Sequence, residues 1–544
     1  MKNFLIALLV ISLFSCTNKE KADLLVYNAT IYTVDSSFST AEAMAIKDGK
    51  ILAVGKMADL EKEYESKEKL DAQGKFIYPG FIDAHAHFTG YGLGLETISL
   101  FNTASWDDVI HNLGDAGKSI AEGKWIIGRG WDQNDWDDKN FPTNERLNKM
   151  FPNNPVLLTR VDGHAAIANQ KALDIAGIKA GDTLTGGEIE EMEGTLTGIL
   201  IDNAVDFVSS KIPKPTEEEF KYAMGQAEKN CFAVGLTTID DCGLSYEAIE
   251  GIKKLQANGD LKMRIYAMLS DEKKNYDYAA TNGMIKTDRL NVRSFKVYGD
   301  GALGSRGACL LQPYSDKPGH SGFLLSNPSH FDSVANWIAQ KGWQMCSHAI
   351  GDSGNRTMLN IYAKYLKGNN DLRWRIEHAQ VVNQNDFKLF GANSIIPSVQ
   401  PTHATSDMYW AGDRLGTERV KGAYAYQQLL TQNGWLPLGT DFPVEDISTF
   451  KTFYAAVVRK DAKNFPADGY QMENALTREQ ALRGMTIWAA KANFEEQEKG
   501  SLEKGKLADF IILDNDLMKE VPEKLLQVTV LKTFLGGEKV YEKR

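Results

Sequence analysis

The sequence predicts an α/β fold. It comprises a (β/α)8 TIM-type barrel, a small β-sandwich domain built from both chain ends, and an insertion after the first barrel strand. Three observations predict it. Eight apolar runs of strand length alternate with helical patterns between residues 81 and 494, which is how a parallel sheet with helical crossovers reads. The ends, 22–80 and 495–544, both read as short strands broken by turn signals. About 150 residues separate the first run from the second, where one βα unit needs only ~30.

The bulk properties set the class. A chain of 544 residues exceeds one compact core, so two or three domains are expected. A hydrophobic content of 43% and a charged content of 24% are those of a folded globular protein. The 61 basic and 72 acidic residues leave a net charge of −11. That balance argues against a nucleic-acid partner, which needs a basic face.

Residues 1–16 read as a lipoprotein-type signal peptide. Lys2 supplies a positive start, and FLIALLVISLF (4–14) is an apolar run too short to span a bilayer as a mature helix. Ser15 and Cys16 follow, then polar TNKEKAD. The pattern resembles a bacterial lipoprotein signal, which implies that Cys16 is lipidated and becomes the new N-terminus. The expected location is the bacterial cell envelope, lipid-anchored to a membrane and facing the periplasm or exterior. An ordinary cleaved signal, giving a soluble secreted or periplasmic protein, is the alternative. Cys231, Cys242, Cys309 and Cys346 show no C-x-x-C spacing and read as buried thiols, with a Cys231–Cys242 disulfide left open.

Next come LLVYNATIYTV, AEAMAIKDGKILAVG with its Asp48-Gly49 turn, and KFIYPG. The C-terminus offers ADFIILDND and LLQVTVLKTFLGGEKVY. Neither set can bury a core alone, so the two are expected to pair. The barrel runs are PGFIDAHAH, LTTIDDCG (236–243), MRIYAML (263–269), RSFKVYGDG (293–301), QMCSHAIGD (344–352), RIEHAQ (375–380), SIIPSVQP (394–401) and LPLGTDFP (436–443). The inserted subdomain, about 100–220, contains WIIGRGWDQNDW, NPVLLTRVDGHAAIAN and TGGEIEEMEGTLTGIL. Trp131 and Trp410 could line a pocket, although core is the commoner role.

The chemistry gathers where barrel active sites lie, at the C-terminal strand ends. On a strand, His85 and His87 project to one face, so one rigid element offers two imidazoles to one metal ion. The other ends present Lys296, Asp300, His348, His378 and Asp441. Each has a structural alternative: a core histidine, a helix cap at Asp441, a Lys296–Asp300 ion pair. Their convergence on one rim favours a metal site.

The motifs PGFIDAHAH, TRVDGHAAIAN, FKVYGDGALGSR, CSHAIGD, RIEHAQ, PLGTDFPV and GSLEKGKLADFIILD together resemble the amidohydrolase superfamily. The resemblance is to its amidohydrolase-3 branch, with YtcJ-like and N-substituted formamide deformylase-like proteins. It implies a metal-dependent hydrolase of carbon–nitrogen bonds other than peptide bonds. His85, His87 and Asp441 would hold one metal, and His348 and His378 a second. Lys296 would be carboxylated on its amine and bridge them. Asp441 would also shuttle a proton between attacking hydroxide and leaving nitrogen. Imidazole and carboxylate donors suit one or two Zn²⁺ per chain. His164, Asp300, Ser305, Arg306 and His403 are candidate groups for a small-molecule substrate or its oxyanion. Formamides, acylated amines and cyclic amides are all compatible. The alternatives are a mononuclear deaminase or other single-metal C–N hydrolase with a structural Lys296, and a non-catalytic surface binding lipoprotein. A homodimer is the default assembly.

Overall fold

The computed structural model describes residues 19–117 and 119–544, so the signal segment and Cys16 lie outside the described residues. Seven parallel strands form the central sheet: β1 (Phe81–Ala86), β2 (Leu236–Leu244), β3 (Arg264–Ser270), β4 (Leu290–Tyr298), β5 (Gln344–Ala349), β6 (Arg375–His378) and β7 (Ile396–Ser398). They pair in chain order. Their residues are almost all buried, because helices cover one face and barrel-filling side chains the other.

The eighth run closes the barrel as an extended segment, 436–441. Leu438 bridges Val399 in parallel. On the other side, Ala84 N–H donates to Leu438 O at 3.2 Å and Asp441 N–H to His85 O at 2.7 Å. The ladder is irregular for steric reasons. A Cβ at Gly439 would sit 2.6 Å from His85 N, so the segment approaches β1 only as glycine.

The chain ends build one sheet. Glu20–Tyr32 and Tyr64–Pro79 run parallel, Phe510–Leu513 joins the latter, and Val530–Leu535 and Glu538–Glu542 follow. Ala43–Lys47 and Lys50–Gly55 extend the other side. Hydrogen bonding makes this one continuous mixed sheet of eight strands, where two sandwiched sheets were expected. It curls until Lys50 bridges Leu507, enclosing a core of Val26, Ile46, Ile77, Phe510, Ile512 and Phe534. Twist accumulates over that many strands, so a single sheet covers its own apolar face. The buried Arg264–Asp509 ion pair (2.7 Å) ties it to β3.

A third sheet lies between β1 and β2. Its six strands run from Ile98–Ser99 to Thr195–Asp202. Separate cores cover its two faces, one around Trp131, Trp136 and Leu158, the other around Leu157, Leu173 and Leu200. Trp131 is core, its indole N–H donating to Leu158 O at 2.8 Å. Cys231 and Cys242 are free thiols, so no disulfide joins them.

Candidate metal centre

β1 delivers two imidazoles in fixed tautomers. His85 is fully buried, and its Nδ1 lies 2.6 Å from Glu377 Oε2 on β6. His87 Nδ1 lies 3.0 Å from Cys242 O at the end of β2. A carbonyl and an ionised carboxylate can only accept, so both Nδ1 atoms donate and both Nε2 lone pairs face inward. Burial, then the nearby Lys296 ammonium, pulls the His85 pKa down to about 4, which keeps the ring neutral. Below them, Asp83 accepts from Thr440 N–H (2.9 Å), Thr440 Oγ1–H (2.7 Å) and His85 N–H (3.2 Å), locking β1 to segment 436–441.

Asp441 stands at the centre. Its Oδ1 lies 3.3 Å from His87 Nε2 and 3.6 Å from His85 Nε2, buried and without a hydrogen-bond partner. Its Oδ2 lies 3.1 Å from His403 Nε2. Burial opposes ionisation, yet the His403 hydrogen bond and the ring of imidazoles hold this carboxyl well below the usual range. The His87 Nε2 lone pair and the anionic Oδ1, 3.3 Å apart, repel unless a cation lies between them. The donor chemistry therefore fits a divalent metal. Two donor sets have ligand atoms within 4.8 Å of one another, His85–His87–Asp441 and His378–His403–Asp441, and they share Asp441. His378 and Asp441 both have φ near +70° (72° and 64°), strain of ~1–3 kcal/mol each that clusters at functional sites. His378 Nδ1 is a buried atom with no partner.

The second set differs from the one expected. It contains His403 rather than His348, yet His403 Nε2 donates to Asp441 Oδ2 and its Nδ1 to Glu445 Oε1 (2.9 Å), so this ring has no lone pair left for a metal. Although burial works against charge, these two carboxylates push its pKa well above the ordinary value. The His348 ring is 4.5 Å from His378, but its Nε2 approaches Gly301 O at 3.3 Å, and it belongs to neither set. Lys296 is fully buried, with Nζ 3.1 Å from His85 Nε2, and it makes no ion pair among the described residues. A Lys296–Asp300 pair is thereby excluded. Asp300 gives both oxygens to backbone N–H groups of Cys309, Ile350 and Gly351 at 2.8–2.9 Å. It anchors the loop after β4 behind His348 and presents no oxygen to substrate.

A cavity of about 760 Å³ opens over these groups. The inserted sheet supplies one wall, with Arg129, Arg160, His164 and Asp202. His164 Nδ1 lies 2.6 Å from Asp202 Oδ1, and its ring centre is 4.9 Å from that of His348. Asp202 adopts φ 52°, ψ −123°, a region that favours glycine. It fits because Gly301 and Gly307 leave a slot: a Cβ on either would come 2.2 Å from Asp202 Oδ2. Arg306 does not reach the cavity. It pairs with Asp316 at 2.8 Å, which Arg414 also engages. Ser305 bonds within its own loop, to Ala302 O at 3.3 Å. Trp410 lines the cavity mouth.

Glu377, Asp202 and Glu445 had no assigned role in the sequence. For Glu377 a signal exists, a carboxylate beside His378 in an otherwise apolar strand. For Asp202 and Glu445 none exists, because their partners lie 38 and 42 residues away.

The chain is similar to known proteins along nearly its whole length. A model described as the amidohydrolase family matches residues 68–541. The protein LONG AFTER FAR-RED 3 of Arabidopsis thaliana is 35% identical over 539 residues, covering 96% of this chain and 92% of its own. N-substituted formamide deformylase of Arthrobacter pascens is 26% identical over 546 residues, covering 96% and 98%. The crystal structure of an uncharacterized metal-dependent hydrolase from Pyrococcus horikoshii superposes with a TM-score of 0.74 at 27% identity, covering 92% of this chain and 99% of that one.

Proposed function

This chain belongs to the amidohydrolase family, in its amidohydrolase-3 branch, and we propose that it hydrolyses a non-peptide amide of a small molecule with Asp441 as proton shuttle. At the coarser level it is a metal-dependent hydrolase acting on carbon–nitrogen bonds. The observation that carries the finer reading is Asp441, whose Oδ1 faces His85 and His87 without any hydrogen-bond donor while its Oδ2 accepts from His403.

A bound divalent cation supplies Lewis acidity and makes hydroxide available near neutral pH. The chain's own residues do the rest. Asp441 takes the proton of the attacking water and hands it to the leaving nitrogen. His403 and Glu445 keep Asp441 ionised and oriented. Glu377 holds the His85 tautomer. His164, oriented by Asp202, faces the cavity where the carbonyl is expected to bind. The two cores of the inserted sheet give that wall a rigid backing.

A second reading has its own observation. His85, His87 and Asp441 form a donor set without Lys296, whose amine contacts His85 directly. A single-metal C–N hydrolase or deaminase with a structural Lys296 is compatible with that contact. Metal content per chain of the leaderless protein, wild type beside Lys296→Ala, separates the two. Two metals falling to one or none supports a carboxylated Lys296 bridge. One metal in both proteins, with the variant still active, establishes the structural lysine. For location we propose the lipid-anchored form read from Cys16. The mass of the mature N-terminus distinguishes it from a soluble secreted or periplasmic protein.

A further inference from the structure

A second cavity, about 890 Å³, lies beside the first and shares His87 and Gly90 with it. It sits over the C-terminal end of β2, between the helices Phe88–Gly94, Glu217–Ala233 and Tyr246–Ala257. Its carbon lining comes from Leu93, Phe220, Leu244, Tyr246, Ala248 and Leu255. Two glycines keep the route open. Gly90, which lines both cavities, puts no side chain between them, and a Cβ there would have His87 Cβ as its neighbour at 3.7 Å. Gly243 has φ 83°, and a Cβ there would come 3.2 Å from Tyr298 Oη, so β2 ends without a side chain at that corner.

Charged side chains line this second cavity as well: Lys214 pairs with Glu247 at 3.5 Å, Lys254 with Glu217 at 2.5 Å and Lys221 with Asp260 at 2.7 Å, while the buried Asp241 accepts from Thr89 N–H and Oγ1–H. The first cavity contrasts with the carbon lining, being walled by histidines, carboxylates and two arginines. A ligand spanning both must therefore be polar at one end and apolar at the other. The volume lies within the ~300–1,000 Å³ of small-molecule sites, and it is far more than a formyl or acetyl group fills.

We propose that the substrate carries a bulky alkyl or aryl substituent that passes His87 and Gly90 into this second cavity, with the scissile amide at Asp441. This rests on the amide-hydrolase reading above, and its test is chosen to fail separately. Binding of N-methylformamide and N-octylformamide to the zinc-loaded mature protein is measured by calorimetry, for wild type and Ala248→Trp. Ala248 lines only the second cavity. Each buried methylene is expected to tighten binding roughly fourfold. The octyl compound should then bind wild type at least about 100-fold more tightly, and Ala248→Trp should lose most of that gain without changing N-methylformamide binding. Equal affinity for the two compounds, or a gain that survives Ala248→Trp, overturns the proposal. A diazirine-tipped octylformamide gives a variant-free check, since labelling at Thr89, Leu93 or within residues 214–260 supports the cavity and labelling confined elsewhere overturns it. Turnover is read apart from binding. Chain-length-dependent binding without hydrolysis defeats the amide reading and spares the cavity, while hydrolysis indifferent to chain length does the reverse.

Discussion

Two imidazole–carboxylate pairs of the same length serve this site, and they are built in opposite ways. His85–Glu377 (2.6 Å) joins two barrel strands, both side chains wholly buried. His164–Asp202 (2.6 Å) belongs to the inserted sheet, on neighbouring strands whose backbones also bond, Asp202 N–H to His164 O at 2.8 Å. The first pair is part of the barrel's packing and holds a metal donor. The second is carried in from outside and reaches the site only because Gly301 and Gly307 admit a strained Asp202. The contrast teaches a division of labour. The barrel fixes the cation, and the insertion shapes what meets it, so one can vary without disturbing the other.

The sharpest test is Asp441→Asn, at the point that both donor sets share. It is expected to lower kcat/KM by roughly 10³–10⁴-fold, as removal of a general base does, and to reduce metal content, with circular dichroism unchanged. Glu377→Gln comes next. It should weaken zinc affinity by about 10–100-fold, the usual cost of losing an orienting partner, as read by chelator competition. Asp202→Asn should lower kcat/KM by about tenfold, the scale of one charge-assisted hydrogen bond, and leave zinc affinity alone. If Asp202→Asn also strips metal, the division of labour is wrong.

The smallest effect is on stability. Asp407 lines the cavity between the two halves, and burial pushes its carboxyl up to about 7 despite a hydrogen bond from Tyr424 at 2.7 Å. Its folded pKa lies above the unfolded one, so the native state holds the proton longer. This group therefore costs stability progressively as pH rises from about 4 to 7. Asp407→Asn removes that slope, so the melting-temperature difference, variant minus wild type, should grow between pH 4 and pH 7.5.

Much of the barrel was legible because periodicity and position say the same thing there. An apolar run ending in histidine or aspartate is both a buried strand and a rim residue, as at His85, His348, His378 and Asp441. The eighth run was readable too, although nothing in LPLGTDFP says that Gly439 must press against His85 N. Roles set by tertiary apposition were not legible. His403 and His348 look alike along the chain, and only the helix Pro401–Asp407 after β7 brings the former to Asp441. Asp300 and Arg306 sit in a loop rich in glycine and polar groups, the composition of a binding loop. One proves to be a staple for backbone amides and the other an ion-pair partner of Asp316. The end sheet shows the same limit, since alternation finds strands but cannot tell two sheets from one that curls.

The pairing of Tyr64–Pro79 with Phe510–Leu513 also has a consequence for biosynthesis. Phe76 meets Leu513, a partner made 437 positions later in the chain. Whichever way the chain emerges from its N-terminal end, the first strand is present long before this partner arrives. Throughout that interval a long strand offers an unpaired edge, the template on which aggregation starts. The barrel also waits, since segment 436–441 is needed to close against β1. Assembly of this protein is thus completed from its tail, and truncating the last 35 residues is expected to yield insoluble chains although no residue of the metal centre is lost.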